Sequence, residues 1–577
     1  MTPKLANAFC MSIFRTSRGL LCQGSRRWTQ IHWQHTKSQP LQAEKPYYVT
    51  TPIFYVNAPP HVGHLYTLVL ADILKRWHTL LGKKAILCTG TDEHGMKIQQ
   101  AAAKAGKEAR AFCDESCKPF EALAREAQVD WNHFIRTSEP DHRFAVQHFW
   151  LMLKQYGWIY EKKHEGWYSV SDETFYPQSA VQPALDPATG RKFMASIETG
   201  KEVEWTSENN YHFRLSKMQK PLLDFYQKNP QFIVPETRMR SVVQEVSSGL
   251  QDLSISRPVG RLSWGIPVPD DESQTIYVWL DALINYLTKT NYPFQIPGHE
   301  TAAGWPADCH IIGKDIVRFH CIYWPAFLIA LNIPPPKQVL THAHWTLGRT
   351  KMSKSTGMVV NPFFAINRFG VDCMRYYLAL EGGIKDDAMY DNSFIIDRYK
   401  KGLQGGLGNL VSRVTRGRGW SVRRAVQHCQ KRVEQIDKAG PDAGPLCWRL
   451  EILPSEVSRA MEKPDPGEAL SQIMKTIYQT NAFIQSSAPW DLLRPEDEEQ
   501  LNRIIYICSE SIRICGILLQ PYMPSKMKGL LDMIGVADDA RLFANAGIGS
   551  DGAYGSSNVS LGMELQGTLF PRLSSDF

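Results

Sequence analysis

Two histidines three apart, in His61-Val-Gly-His64, and two lysines three apart, in Lys351-Met-Ser-Lys-Ser355, carry the chemistry most legible in this chain. Both motifs hold residue types that grip phosphate. Pro46 to Val56 is apolar, aromatic and β-branched and reads as a buried strand, which Asn57-Ala-Pro-Pro60 breaks before a helical period begins. Pro59 and Pro60 suit a helix entrance, because a proline there loses no hydrogen-bonded N–H. His61 and His64 then fall in the first turn on one face, where unpaired N–H groups and the helix dipole attract anions. Gly63 leaves room for a nucleotide against the backbone. Lys351 and Lys354, with Ser353 between them, stand on a Gly-, Thr- and Ser-bounded segment from Gly348 to Gly357. Ammonium groups there can close over a triphosphate and release it, which the fixed fork of arginine suits less. Together the two motifs point to adenylate chemistry.

These motifs resemble the two signatures of the class I aminoacyl-tRNA synthetases. Further segments narrow the resemblance to the methionyl branch: Thr50-Thr-Pro-Ile-Phe-Tyr-Val-Asn57, Thr89-Gly-Thr-Asp-Glu-His-Gly95, Tyr277-Val-Trp-Leu-Asp-Ala282, Ile312-Gly-Lys-Asp-Ile316 and Phe319-His-Cys-Ile-Tyr-Trp-Pro325. Their order and spacing match from about residue 46 to 540. By that resemblance Ile53, Tyr55, Trp279, Ala282, Tyr286, Phe319, His320 and Trp324 form a methionine pocket, and Asp92 meets the substrate ammonium. A thioether gains from such rings. ATP falls to His61, Gly63, His64, Lys314, His344, Lys351, Ser353 and Lys354, with Mg²⁺ on the triphosphate. Lys314 and Asp315 are candidate partners of the ribose or the substrate amine. His61, His64, Lys351 and Lys354 are the catalytic set.

The elements that must position these residues can also be read. Strand-like runs end at Thr51, at Cys88, at Ile312 and near Leu340, each followed at once by one of the polar motifs, as where an open parallel sheet binds ligands at its carboxyl ends. The expected fold is α/β: a Rossmann-like parallel-sheet domain (45–157 and 216–345) with an inserted connective peptide (158–215), then the Lys-Met-Ser-Lys-Ser loop and stem-contact region (346–392), an α-helical bundle (393–540) and a tail (541–577), read from Gly547 onward as an extended strap. Helical periodicity dominates the bundle, broken by Gly and Pro near 439–445 and 464–467.

The insert bears on which amino acid is used. Valyl, isoleucyl and leucyl relatives need a large editing domain, because one methylene is worth only about 1–3 kcal/mol. The segment 158–215 is too short for one, and Gly166-Trp-Tyr-Ser-Val-Ser-Asp-Glu-Thr-Phe-Tyr176 matches the short methionyl form. Cysteine is absent from 118 to 308, so no zinc knuckle is expected there. None of the twelve cysteines forms a CxxC pair, which fits a reducing compartment.

Residues 1–43 hold six Lys and Arg and no acid, the pattern of a mitochondrial transit segment, here placed at 1–44, and the matrix is the expected site of action. Its apolar stretches are too short to span a membrane. Without those six, 59 of the 65 basic residues face 58 acids, so net charge says little about RNA. Local charge says more: Arg398 to Arg432 carries ten Lys and Arg and no acid. In the methionyl branch the bundle reads the anticodon of tRNA(Met), and Asn409, Arg413 and Trp490 stand at the matching positions. A monomer is expected.

Two departures stand out. Thr341-His-Ala-His-Trp345 has Ala-His where relatives commonly show His-Gly-Trp, which leaves the part of His344 near adenine open. Leu283 replaces a proline found in some relatives. Two other readings compete: another HxGH nucleotidyltransferase, which would not need the basic bundle, and a non-catalytic RNA-binding relative, which would not need all four phosphate-gripping residues.

Overall fold

The computed structural model describes residues 44–170, 174–186, 189–294, 298–347, 350–351, 360–417, 419–430, 440, 442–556 and 568–573. The expected transit segment lies outside them up to residue 43. At the centre is a six-stranded sheet of β1 (Tyr47–Tyr55), β2 (Ala85–Asp92), β3 (His133–Arg136), β4 (Ile233–Val234), β5 (Cys309–Gly313) and β6 (Val339–His342). The strands lie in the order β3-β2-β1-β5-β6-β4, every pair parallel. Strand order reverses between β1 and β5. The crevice beyond their carboxyl ends is where such a sheet takes its ligands.

The strands run past the ends expected at Thr51 and Cys88. After an irregularity between Thr50 and Ile53, pairing resumes from Ile53 with Gly90 to Tyr55 with Asp92. Within that break Thr51 Oγ1 donates to Thr89 Oγ1 at 2.6 Å, a side-chain bond that ties the two strands where the backbone ladder is interrupted. Gly90 is needed because a Cβ there would stand 2.0 Å from the Ile135 carbonyl oxygen. The polar motif residues therefore begin on the strands themselves.

Six helices position the cleft and tie it to the bundle: α1 (Val62–Leu80), α2 (Val278–Thr288), α3 (Val371–Glu381), α4 (Ala443–Glu462), α5 (Pro466–Ser487) and α6 (Glu498–Leu519). One apolar core runs from Val49 and Leu65 through Tyr376 and Leu378 of α3 into Leu450, Ile473 and Ile504 of the bundle. A second, on the other side of the sheet, gathers Phe149, Trp150, Leu280, Ile284 and Trp324. The helix expected to resume near 464–467 does so at Pro466, where Asp465 caps the backbone N–H of Glu468.

Between β3 and β4 stands an antiparallel sheet whose two long strands, Ile159–Ser169 and Glu202–Phe213, pair from Ile159 with Phe213 to Tyr168 with Glu204. Tyr176, Val181 and Val203 form its small core, with Trp167 and Met194 packed against them. In the tail, Phe570 is buried, Tyr399 donates to the Pro571 carbonyl at 2.6 Å and Lys526 to that of Leu569 at 2.9 Å.

Candidate active site

His61 is the N-cap of α1, not a residue of its first turn, and Pro59 and Pro60 stand before the cap. Their missing N–H groups are thus not what shapes the entrance; the two imidazoles are. His61 Nδ1 accepts from the Gly63 N–H at 3.0 Å, while His64 Nδ1 accepts from the His61 N–H at 3.0 Å, a reciprocal capping box built from histidines. The rings stack at 3.8 Å. With each Nδ1 spent as an acceptor, each neutral ring carries its proton on Nε2, as a donor. Gly63 is dictated by the cap as well as by any ligand, since a Cβ there would meet the His61 ring at 2.8 Å.

These histidines line a cleft of about 1240 Å³ at the carboxyl end of the sheet. Ile53, Tyr55, Asp92, Trp279, Ala282, Tyr286, Phe319 and His320 also line it, so eight of the nine residues expected for methionine share one space. Trp279 and Phe319 stack at 3.6 Å. Trp324, the ninth, does not line the cleft: it is fully buried behind Tyr286, 6.0 Å from its ring. Trp324 Nε1 donates to His310 Nε2 at 3.3 Å, and His310 Nδ1 meets Thr50 Oγ1 at 2.7 Å and stacks on Tyr286 at 4.2 Å. Sequence reasoning missed His310, because nothing local marks a strand histidine whose partner Thr50 is hundreds of residues away.

The pocket floor is neutral. His320 Nδ1 donates to the Ile316 carbonyl at 3.0 Å, leaving Nε2 to accept from the Tyr286 hydroxyl at 2.7 Å. Burial pushes His320 down to about 4 and His310 well below its ordinary range, while the Tyr286 phenol is raised. His320 sits in a π-helical turn, Phe319–Tyr323; Pro325 has no N–H to offer the Cys321 carbonyl, which accepts from the Tyr226 hydroxyl at 2.6 Å. Asp92, 8 % exposed, is the carboxylate at the end of β2. Arg257, also missed, is a buried guanidinium on the cleft wall, with the rings of Tyr277, Tyr168 and Phe175 at 4.7, 5.2 and 5.2 Å.

After β5 the Gly-Lys-Asp loop divides its roles. Asp315 lines the cleft, and its Oδ1 meets His344 Nε2 at 3.2 Å. Lys314 does not line it: the ammonium pairs with Asp387 at 2.6 Å, the same carboxylate that accepts from the His344 backbone N–H at 2.9 Å. Asp387 is a third residue the sequence did not flag. Lys351 is described only in its backbone, paired with Thr346. Ser353 and Lys354 lie outside the described residues. Among the described residues no group of three or more His, Cys, Asp and Glu side chains is placed to hold a metal ion.

In the bundle the three residues expected to meet RNA are neighbours. Asn409 donates to Asn481 at 3.1 Å and Arg413 to Gln485 at 2.8 Å, two rungs one turn apart between facing helices. The Arg413 guanidinium lies 5.2 Å from the ring of Trp490, which is 40 % exposed. The basic stretch around them is partly neutralised: Arg398 pairs with Glu381, Lys401 with Asp397 and Arg424 with Glu498.

Residues 47–415 match the family model described as tRNA synthetases class I (M). The chain is 54 % identical over 525 residues to a probable mitochondrial methionine–tRNA ligase of Neurospora crassa, covering 90 % of this chain and 84 % of that one. It is 43 % identical over 506 residues to the mitochondrial methionine–tRNA ligase of Homo sapiens, covering 86 % and 84 % respectively. Among solved structures, methionyl-tRNA synthetase of Mycobacterium tuberculosis bound by methionyl-adenylate superposes with a TM-score of 0.80 at 34 % identity, over 91 % of this chain and all of that one.

Proposed function

The chain belongs to the class I tRNA synthetases of the methionyl type, and on that footing we propose how its residues divide the ligation of L-methionine to tRNA. The reaction runs in the mitochondrion and passes through a methionyl-adenylate; we place it in the matrix, acting on tRNA(Met), with the enzyme a monomer.

The first step is attack of the methionine carboxylate on the α-phosphate of ATP, which releases pyrophosphate. No general base is required, because the carboxylate is already ionised at pH 7. Rate must come from positioning and from donors aimed at the charge that develops. The Nε2–H groups of His61 and His64 supply such donors at the start of α1. Lys351 and Lys354, with Ser353, draw the pyrophosphate away. Mg²⁺ arrives with ATP as part of the substrate. Asp92 holds the methionine ammonium, and the thioether lies among Trp279, Phe319, Tyr286 and His320, where sulfur–ring contacts are worth about 0.3–1.5 kcal/mol each. Asp315 and His344 take the ribose and adenine side. In the second step a ribose hydroxyl at the tRNA 3′ end attacks the adenylate carbonyl and AMP leaves. Asn409, Arg413 and Trp490 read the anticodon, the indole by stacking an unpaired base.

The observation that carries this reading is the single cleft shared by the histidine cap of α1, Asp92 and the aromatic pocket. Amino-acid-dependent ATP–pyrophosphate exchange tests it, on protein starting near Glu44 and across all twenty amino acids. Exchange with methionine alone, reduced on the order of 10²-fold or more in Lys354→Ala, is expected. Exchange driven by another amino acid would overturn the pocket assignment.

A further inference from the structure

The pocket helix α2 has two working faces. Trp279, Ala282 and Tyr286 point into the cleft, spaced three and four apart. Asp281 and Thr288, one heptad apart, point the opposite way into fully buried surroundings. The Asp281 carboxylate is 0 % exposed and is gripped from both sides: Oδ2 meets His94 Nδ1 at 2.6 Å and Oδ1 meets His142 Nε2 at 2.7 Å. His142 Nδ1 continues to Thr288 Oγ1 at 2.9 Å. Burial opposes charge on Asp281, yet the two histidines hold its carboxyl below the usual range, so it is ionised and both rings donate to it.

His94 belongs to the same short loop as Asp92, two residues on. The intervening Glu93 is tied in the other direction, accepting from Arg136 at 2.7 and 3.0 Å and from Thr91 at 2.8 Å. The loop that presents the ammonium anchor is therefore fastened to β3 by Glu93 and to the side-chain pocket by His94. His142 fixes the far side of Asp281 from the helix Pro140–Gln155.

We propose that Asp281, held between His94 and His142, is the positioning residue that sets the span between the ammonium anchor Asp92 and the wall formed by Trp279, Ala282 and Tyr286, and so the side-chain length the site accepts. This rests on the methionine pocket proposed above. None of the three groups touches substrate; they act through the loop and helix they join. A displacement of about 1 Å between anchor and pocket is enough to cost on the order of 10²-fold.

The test is ATP–pyrophosphate exchange with His94→Ala and His94→Asn. The asparagine amide nitrogen stands where Nδ1 stood and keeps the donor to Asp281; alanine removes it. His94→Ala is expected to raise the KM for methionine on the order of 10- to 100-fold, with the KM for ATP unchanged, and to narrow the preference for methionine over its S-ethyl homologue. His94→Asn is expected to recover most of both. Should His94→Ala not fold, His142→Leu against His142→Gln reads the same difference, since the glutamine nitrogen replaces Nε2. Equal changes for the two substrates, or no rescue by the amides, would overturn the proposal. Asp92→Asn run alongside separates the two levels: if it leaves the methionine KM unmoved, the pocket reading fails, whereas if it raises that KM and His94→Ala does not, only the positioning role is lost.

Discussion

Asp72 of α1 and Arg375 of α3 form an ion pair of 2.5 Å with side chains 0 % and 1 % exposed. Arg375 also donates to the carbonyls of Ala127, Pro521 and Tyr522 at 3.1, 2.8 and 3.0 Å, so one guanidinium joins α1, the helix capped by His61, to the turn that follows α6 in the bundle. Burial lowers the arginine from its ordinary range, and the Asp72 carboxylate beside it works in the opposite direction.

Removing one member of such a pair leaves the other buried without full compensation, at a cost of about 3–5 kcal/mol. Arg375→Met is expected to lower the unfolding free energy measured in urea by that much. Arg76 still reaches Asp72 at 2.7 Å, which favours the lower end. A loss below about 1 kcal/mol would mean the pair contributes little beyond packing.

The two nitrogens of His64 can be tested apart. His64→Asn keeps an acceptor where Nδ1 meets the His61 N–H but has no counterpart of Nε2, whereas His64→Gln reaches the Nε2 position and gives up the cap. If phosphate donation dominates, Asn loses on the order of 10²- to 10³-fold in exchange rate at nearly unchanged stability. Gln retains more activity while losing about 1 kcal/mol of stability. The reverse order in exchange assays would assign the motif to the cap alone.

How far the sequence reaches depends on how local the cause is. His61, His64, Asp92, Trp279 and Tyr286 sit in short motifs at strand or helix ends, where neighbours along the chain already fix direction, and all line one cleft. The misplacements have the opposite character. Trp324 faces away because His310, on β5, offers its indole a partner, and Lys314 turns aside because Asp387 does. Local polarity places the strand ends too early for the same reason: the pairing of Tyr55 with Asp92 depends on a partner strand.

Arg413 and Trp490 make a separable prediction in the bundle. A stacked base is worth about 1–3 kcal/mol by alanine substitution. Trp490→Ala is therefore expected to raise the KM for tRNA on the order of 10- to 100-fold in aminoacylation. Gln485→Ala, which frees the guanidinium from its rung, should produce a smaller rise. ATP–pyrophosphate exchange, which needs no tRNA, is the internal comparison. A matching fall in exchange would show that these substitutions disturb the whole fold.

The neutral pocket floor gives a pH dependence whose sign follows from burial. His320 and His342 are pushed down to about 4 in the folded chain by burial, and His310 well below its ordinary range. An unfolded histidine titrates near 6.5. Between those values the unfolded chain takes up protons that the folded chain refuses, so stability is fully present above about pH 6.5 and is lost as pH falls toward 4. Each such histidine contributes up to about 1.4 kcal/mol per pH unit in that window. Asp281 adds its own loss only at lower pH, since its carboxyl is held below the usual range. Urea unfolding at pH 7, 6 and 5 should therefore show the wild type weakening, and His320→Asn weakening less steeply by up to that amount per unit. Equal slopes would mean that His320 is protonated in the folded protein, and the Tyr286 hydroxyl could then no longer donate to it.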